Sequence, residues 1–223
     1  MTETVQTQQL FDLSQTAAKP LLEQFSYPWQ ALAHIAEFIT ALGKTLPEAE
    51  YEQIAERIWV ARTAKVFQTA YLAAPTIIGH ETEVRHCAFI RGSALVGANC
   101  VVGNSTELKN VILMNGVQAP HYNYVGDSIL GYKAHMGAGS ITSNVKADKS
   151  LVQINCNGEK INTDRKKFGA ILGDGAEIGC NAVLNPGTII GKHAHVYPLS
   201  MVRGVVPSRH IYKKAGEIVP HRD

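Results

Sequence analysis

An aliphatic residue recurs at every sixth position through the middle of this chain, at Leu72, Ile78, Val84, Ile90, Val96, Val102, Leu108 and Met114. The series breaks at Pro120, resumes at Leu130 and Met136, and returns as Leu172, Ile178, Leu184, Ile190, Val196 and Val202. Six is the period of neither an α-helix nor a hairpin. It fits a unit of one short strand and one turn, its aliphatic side chain pointing inward, with three units closing a triangular coil. Successive coils then stack as parallel strands, and the inward residues form a continuous column. Burying each aliphatic contributes about 1.5–3 kcal/mol, so the column rather than any single contact holds such a solenoid together. A β-sandwich of short strands would space its apolar residues more widely and less evenly.

Ahead of the repeat, from Leu10 to about Lys65, the spacing is helical. Leu32, Ile35, Ala36, Ile39 and Leu42 share a stripe, Pro28 suits a first turn and Gly43 a stop. A second helix is expected after Thr45, with Ile54, Ile58, Val60 and Ala61 on its buried side. The expected organisation is a helical cap over 1–65 closing the open end of the solenoid, a β-helix over 66–206, and a tail over 207–223. Between about 145 and 165 the period is interrupted. Asn157-Gly158 between β-rich flanks predicts a hairpin there. It is expected to leave the prism and lie on a neighbouring subunit, delivering Lys166 or Lys167 to that subunit's pocket.

With 21 basic and 19 acidic residues the formal charge is only +2, which gives no reason to expect nucleic acid or an anionic membrane as partner. Cys87, Cys100, Cys156 and Cys180 have no metal-binding spacing and read as free thiols of a reducing compartment. No run of 18 apolar residues occurs and the first residues lack a signal-peptide pattern, so the expectation is a soluble cytoplasmic protein.

Three stretches carry a family resemblance. They are Asn104-Ser105-Thr106-Glu107-Leu108-Lys109, Pro120-His121-Tyr122-Asn123-Tyr124-Val125-Gly126-Asp127 and Met136-Gly137-Ala138-Gly139-Ser140-Ile141-Thr142-Ser143-Asn144. Together they resemble the acetyltransferase domain of bifunctional UDP-N-acetylglucosamine pyrophosphorylase/glucosamine-1-phosphate N-acetyltransferases, within the hexapeptide-repeat acyltransferase superfamily. The interruption before Lys167-Phe168-Gly169 is similar to that of archaeal bifunctional sugar-1-phosphate nucleotidyltransferases. The resemblance covers about residues 66 to 206. It implies a mainly β fold, a single-stranded left-handed parallel β-helix, assembled as a homotrimer with active sites between subunits. It also implies acetyl-CoA as co-substrate and an amino-sugar 1-phosphate, of glucosamine or galactosamine, as acceptor.

By the same resemblance, His121 is the general base, a role that suits a group titrating near neutrality. Arg91 and Lys109 grip the acceptor's phosphate, one as a fork and one as a point charge. Glu107 orients Lys109 or the sugar, Tyr124 and Asn144 contact phosphate and sugar, and Lys167 completes the pocket. Ala138, in a glycine-flanked run that lets backbone approach a ligand, occupies the acetyl-CoA position, where a backbone N–H serves as oxyanion donor. Cys180 and Pro198 fall at cofactor positions where the family has small residues or serine, and His135 replaces an asparagine that contacts the sugar. No glycine-rich uridylyltransferase signature is present, so pyrophosphorylase activity is not expected. Competing readings are an acyltransferase acting on a nucleotide-linked amino sugar, a non-catalytic β-helix scaffold, and a zinc enzyme of the γ-carbonic anhydrase type. His80 and His86 suit the last, but Gly126 stands where it needs a second histidine after His121, so no metal is expected.

Overall fold

The computed structural model describes residues 2–156 and 158–221, which leaves Asn157, half of the expected hairpin turn, outside the described residues. From Ile58 to Lys214 the chain winds into short strands that pair in parallel with the coils before and after. Three walls result. The first stacks Ile58–Ala61, Thr76–Ile78, Ala94–Val96, the second halves of Glu107–Leu113 and Tyr124–Leu130, then Ala170–Leu172, Thr188–Ile190 and Val205–Val206. The second runs from Lys65–Val66 through Val101–Asn104, Gln118–His121 and His135–Met136 to His210–Lys214. The third runs from Tyr71–Leu72 through the first halves of the two long strands to Ile141–Thr142, Val183–Leu184 and Met201–Val202. The fold is mainly β, a parallel β-helix of stacked coils preceded by a helical segment.

The inward column is the sixfold series, with Ile78, Val84, Ile90, Val96, Val102 and Leu108 fully buried in one core. The break near Pro120 has a simple cause. Val96 stacks on Ile78, 18 residues earlier, but Leu113 stacks on Val96 and Leu130 on Leu113 at 17. Each of those coils has one five-residue side. Leu113 rather than Met114 therefore points inward, Ala119 and Val125 continue the column, and Met114 turns outward into a second core. The column also runs past residue 206, through Val206 and Tyr212, whose hydroxyl donates to the Met201 carbonyl at 2.8 Å.

The second core explains the N-terminal segment. Trp59, Ile77, Leu95, Ile112, Ile129, Ile171 and Ile189, the outward residues of the first wall, are buried with Leu10, Leu22, Trp29, Leu32, Ile35 and Ile39. The segment lies lengthwise on that wall instead of closing an end of the stack. It is a series of short turns leading to the helix Ile35–Gly43. Asp174 pins it: its carboxylate accepts from the Asp12 N–H at 2.7 Å and the Tyr132 N–H at 2.9 Å, and pairs with Lys192 at 3.1 Å. Gly43 matters for clearance as well as for termination, since a Cβ there would collide with the Trp59 ring.

Two expectations fail here. The helix expected after Thr45 is an antiparallel pair, Tyr51–Ala55 with Ile58–Ala61, turning at Arg57 with φ 57°. Ile58, Val60 and Ala61 are buried as expected, but Ile54 is exposed. A short apolar run fits either period, and Ile58-Trp59-Val60 is buried on both faces because Trp59 meets the helical segment while its neighbours face the column. The predicted hairpin exists, as Gln153–Cys156 paired antiparallel with Glu159–Asn162. It does not leave its own prism: Val152, Ile154 and Cys156 are buried in the second core, where they extend the covering of the first wall. Alternation in the strand, exposed then buried, supplies the apolar face that holds it there.

Candidate functional site

The third wall and its two edges carry the residues singled out in the sequence. Along the edge shared with the second wall, backbone bonds tie successive coils: Tyr122 N–H to Asn104 O at 2.8 Å, Gly139 N–H to His121 O at 3.0 Å, Asn181 N–H to Ala138 O at 2.8 Å and Leu199 N–H to Cys180 O at 2.9 Å. His121, Ala138, Cys180 and Pro198 are thus consecutive rungs of one ladder. Tyr122 and Asn181 turn this corner with φ near 53°, a conformation that costs energy for most side chains and is tolerated here by the stacked backbone bonds. The exposed His121 is aligned through its backbone, whose N–H donates to Asn123 Oδ1 at 3.1 Å, while the buried Asn123 amide is held by Gly137 O and Ser140. In the Gly137-Ala138-Gly139 run, the flanking N–H groups are used by Ile178 O and His121 O, whereas the Ala138 N–H meets no acceptor among the described residues. A donor held at a fixed place and left open is what an oxyanion site requires.

The opposite edge, shared with the first wall, gathers the charged residues around a group that sequence reasoning missed. Asp127, with φ 48° at its corner, is only 2% exposed. Its carboxylate accepts from Lys109 Nζ at 3.1 Å on both oxygens, from Asn110 Nδ2 at 3.0 Å and from Asn144 Nδ2 at 2.6 Å. Buried carboxylates are retained when paired and hydrogen-bonded in this way. The signal was present, since Asp127 stands one coil beyond Lys109 inside the quoted motif, but nothing in the sequence says that its side chain turns inward. Glu107 does not orient Lys109; it pairs with Arg91 at 2.7 Å, and that bond raises the Arg91 pKa. Between the two pairs lies Tyr124, side by side with Glu107. Its hydroxyl accepts from Asn144 Nδ2 at 3.2 Å, and burial, then the charges of Asp127 and Glu107, push its pKa up. The neutral phenol keeps its own proton for a ligand. Its ring lies over Gly126, where an added Cβ would stand 2.5 Å from the hydroxyl.

The excursion returns Lys167 to this edge: Val145 and Lys167 form an antiparallel bridge, and the Phe168 N–H donates to Asn144 O at 2.9 Å. A groove of about 920 Å³ opens beyond it between the hairpin and the later coils, lined by Ser143, Val145, Lys160 and Arg203 among others. His135 stands apart. It lies on the second wall with Nδ1 2.8 Å from Glu177 Oε2, so it does not join the Lys109 cluster within this chain. Among the described residues no group of three or more His, Cys, Asp or Glu is placed to hold a metal ion. His80 and His86 meet Thr63 and Thr69 instead. No helix among the described residues is long and apolar enough to cross a membrane.

Residues 72–164 match the family model described as the GMPPB C-terminal domain. The chain is 37% identical over 98 residues to a bifunctional sugar-1-phosphate nucleotidylyltransferase/acetyltransferase of Sulfurisphaera tokodaii, covering 44% of this chain and 24% of that protein. It is 33% identical over 137 residues to the bifunctional protein GlmU of Methanococcus vannielii, covering 61% of this chain and 33% of that one. The chain therefore matches only about a quarter to a third of the length of these relatives. Among solved structures, the polySia-specific acetyltransferase NeuO superposes with a TM-score of 0.47 at 12% identity, over 73% of this chain and 78% of that one. Over its coiled region the chain is thus similar in sequence to the GlmU proteins and to the sugar-1-phosphate nucleotidylyltransferase/acetyltransferase of Sulfurisphaera tokodaii.

Proposed function

We propose that this chain is an acetyl-CoA-dependent N-acetyltransferase whose acceptor is an amino-sugar 1-phosphate, of glucosamine or galactosamine. The observation that carries the reading is one wall with an exposed histidine beside an unused backbone N–H on one edge and paired cations on the other. The relative named as a sugar-1-phosphate nucleotidylyltransferase/acetyltransferase supports the transfer chemistry. Acetyl-CoA lies along the ladder of Ala138, Cys180 and Pro198, and the acceptor lies across Glu107 and Tyr124 toward Arg91, Lys109, Asn144 and Lys167.

The acceptor amine adds to the thioester carbonyl, forming the C–N bond, while His121 takes the proton released from nitrogen. The Ala138 N–H stabilises the negative oxygen of the tetrahedral intermediate. Collapse breaks the C–S bond, and coenzyme A leaves as thiolate, protonated in turn from His121. No covalent enzyme intermediate is formed. Tyr71, Phe89, Tyr122, Leu199 and Met201 leave the third wall and its edge apolar and exposed, which supports a homotrimer whose neighbouring subunit closes the site. His135, held toward Glu177, faces the acceptor only across such an interface.

The deciding experiment is free-thiol release from acetyl-CoA with a panel of amino-sugar 1-phosphates, free amino sugars and nucleotide-linked amino sugars. Turnover is expected with a 1-phosphate. Turnover only with nucleotide-linked sugars would move the acceptor class, and no release with any amine would leave a scaffold.

A further inference from the structure

The cations expected to meet the acceptor's phosphate are already neutralised inside the site. Arg91 is paired with Glu107, and Lys109 with the buried Asp127. These two pairs supply direction but no surplus charge. The surplus comes from the excursion. Arg165 and Lys167 have no ion-pair partner within 4 Å among the described residues, and both stand where the excursion rejoins the prism.

Arg165 is held by its backbone and by one edge of its guanidinium. Its N–H donates to Thr163 Oγ1 at 3.4 Å, its carbonyl accepts from the Val152 N–H at 2.8 Å, and its Nε donates to Lys167 O at 3.2 Å. The two Nη groups are left without a protein acceptor among the described residues. The chain that carries it runs beside the cluster, since the Phe168 N–H bonds Asn144 O and the Gly169 N–H bonds Asp127 O at 2.9 Å. Burial works against the Arg165 charge and the Asp127 carboxylate works for it. A half-buried, partly fixed guanidinium with its fork free, within electrostatic reach of the Asp127 carboxylate that Lys109 pairs with, is suited to a tetrahedral oxyanion.

From this placement we infer that Arg165 binds the acceptor's phosphate group and sets the preference for a phosphorylated over an unphosphorylated amino sugar. The inference rests on the acetyltransferase reading for the identity of the acceptor, but the anion site can be tested without it. Isothermal titration of the whole chain with inorganic phosphate is the direct probe. Arg165→Gln is expected to weaken phosphate binding by about tenfold and Arg165→Lys to recover part of the loss. In turnover, Arg165→Gln raises KM for the 1-phosphate by a similar factor with kcat within about twofold, and leaves KM for the free amino sugar unchanged.

Arg165→Met, which keeps the aliphatic stem, serves the same comparison if the glutamine variant melts early. Phosphate binding as tight in both variants as in the native chain, or no phosphate binding by the native chain, would overturn the inference. Lost phosphate binding in a chain that acetylates no amino sugar would sink the acetyltransferase reading and leave the anion site standing.

Discussion

The first and third walls share one inward column and one period, yet their outer faces are opposites. On the first, Trp59, Ile77, Leu95, Ile112, Ile129, Ile171 and Ile189 are sealed under the N-terminal segment and the hairpin. On the third, Tyr71, Phe89, Glu107, Tyr124 and Met201 stand at the same outward position and remain open to varying degrees. A β-helix has no inside left for chemistry once its column is filled. Function must therefore sit on an outer face, and a face used for function cannot also be covered by the chain's own appendages.

The contrast predicts that damage to the two walls separates into activity and stability. The largest effect falls on the open side: His121→Ala is expected to lower kcat by about 10²–10⁴-fold with an unchanged melting temperature, checked by steady-state kinetics and calorimetry. Retained turnover would remove His121 as the base. On the covered side, Ile112→Ala leaves a cavity between two packed layers and is expected to cost about 2–5 kcal/mol in urea unfolding, with kcat unchanged in the folded fraction. Asp174→Ala strands the Asp12 and Tyr132 N–H donors and is expected to cost about 1–3 kcal/mol. It should also raise hydrogen exchange in the N-terminal segment more than in the third wall. Lys109→Ala is expected to raise the acceptor KM about tenfold and to lower stability as well, because it leaves the buried Asp127 carboxylate with only the Asn110 and Asn144 amides as side-chain donors. An unchanged acceptor KM beside that loss of stability would show that Lys109 serves Asp127 and not the ligand.

Much of this contrast was readable before any coordinates. The sixfold recurrence located most of the column from Leu72 to Val202, and the motif from Pro120 to Asp127 spans the third wall from one edge to the other. The aliphatic residue just ahead of each column position, present in Ile77, Leu95, Ile112, Ile129, Ile171 and Ile189 but replaced by polar residues such as Glu83, Gln118 and Glu177 on the second wall, marked the covered face and went unread. Leu113 and Met114 are both apolar, so composition could not reveal the one-residue slip. Ile54, Ile58 and Ala61 are four and three apart, which a helix and a strand pair satisfy equally. Asp127 and Arg165 were missed for a different reason. Their importance lies in which way a corner turns and where an excursion rejoins, and neither is a local property of sequence.

The rejoining point has a wider consequence. Leu130 and Leu172 are stacked neighbours although 41 residues separate them, and the excursion closes on itself where Val145 meets Lys167. The column therefore does not register how long the detour is, and the cost of lengthening such a loop grows only slowly with its size. This junction is a socket into which new segments can be fitted without disturbing the coils above or below. Residues at its rim, Arg165 among them, are free to change what the neighbouring wall recognises while the scaffold stays as it is.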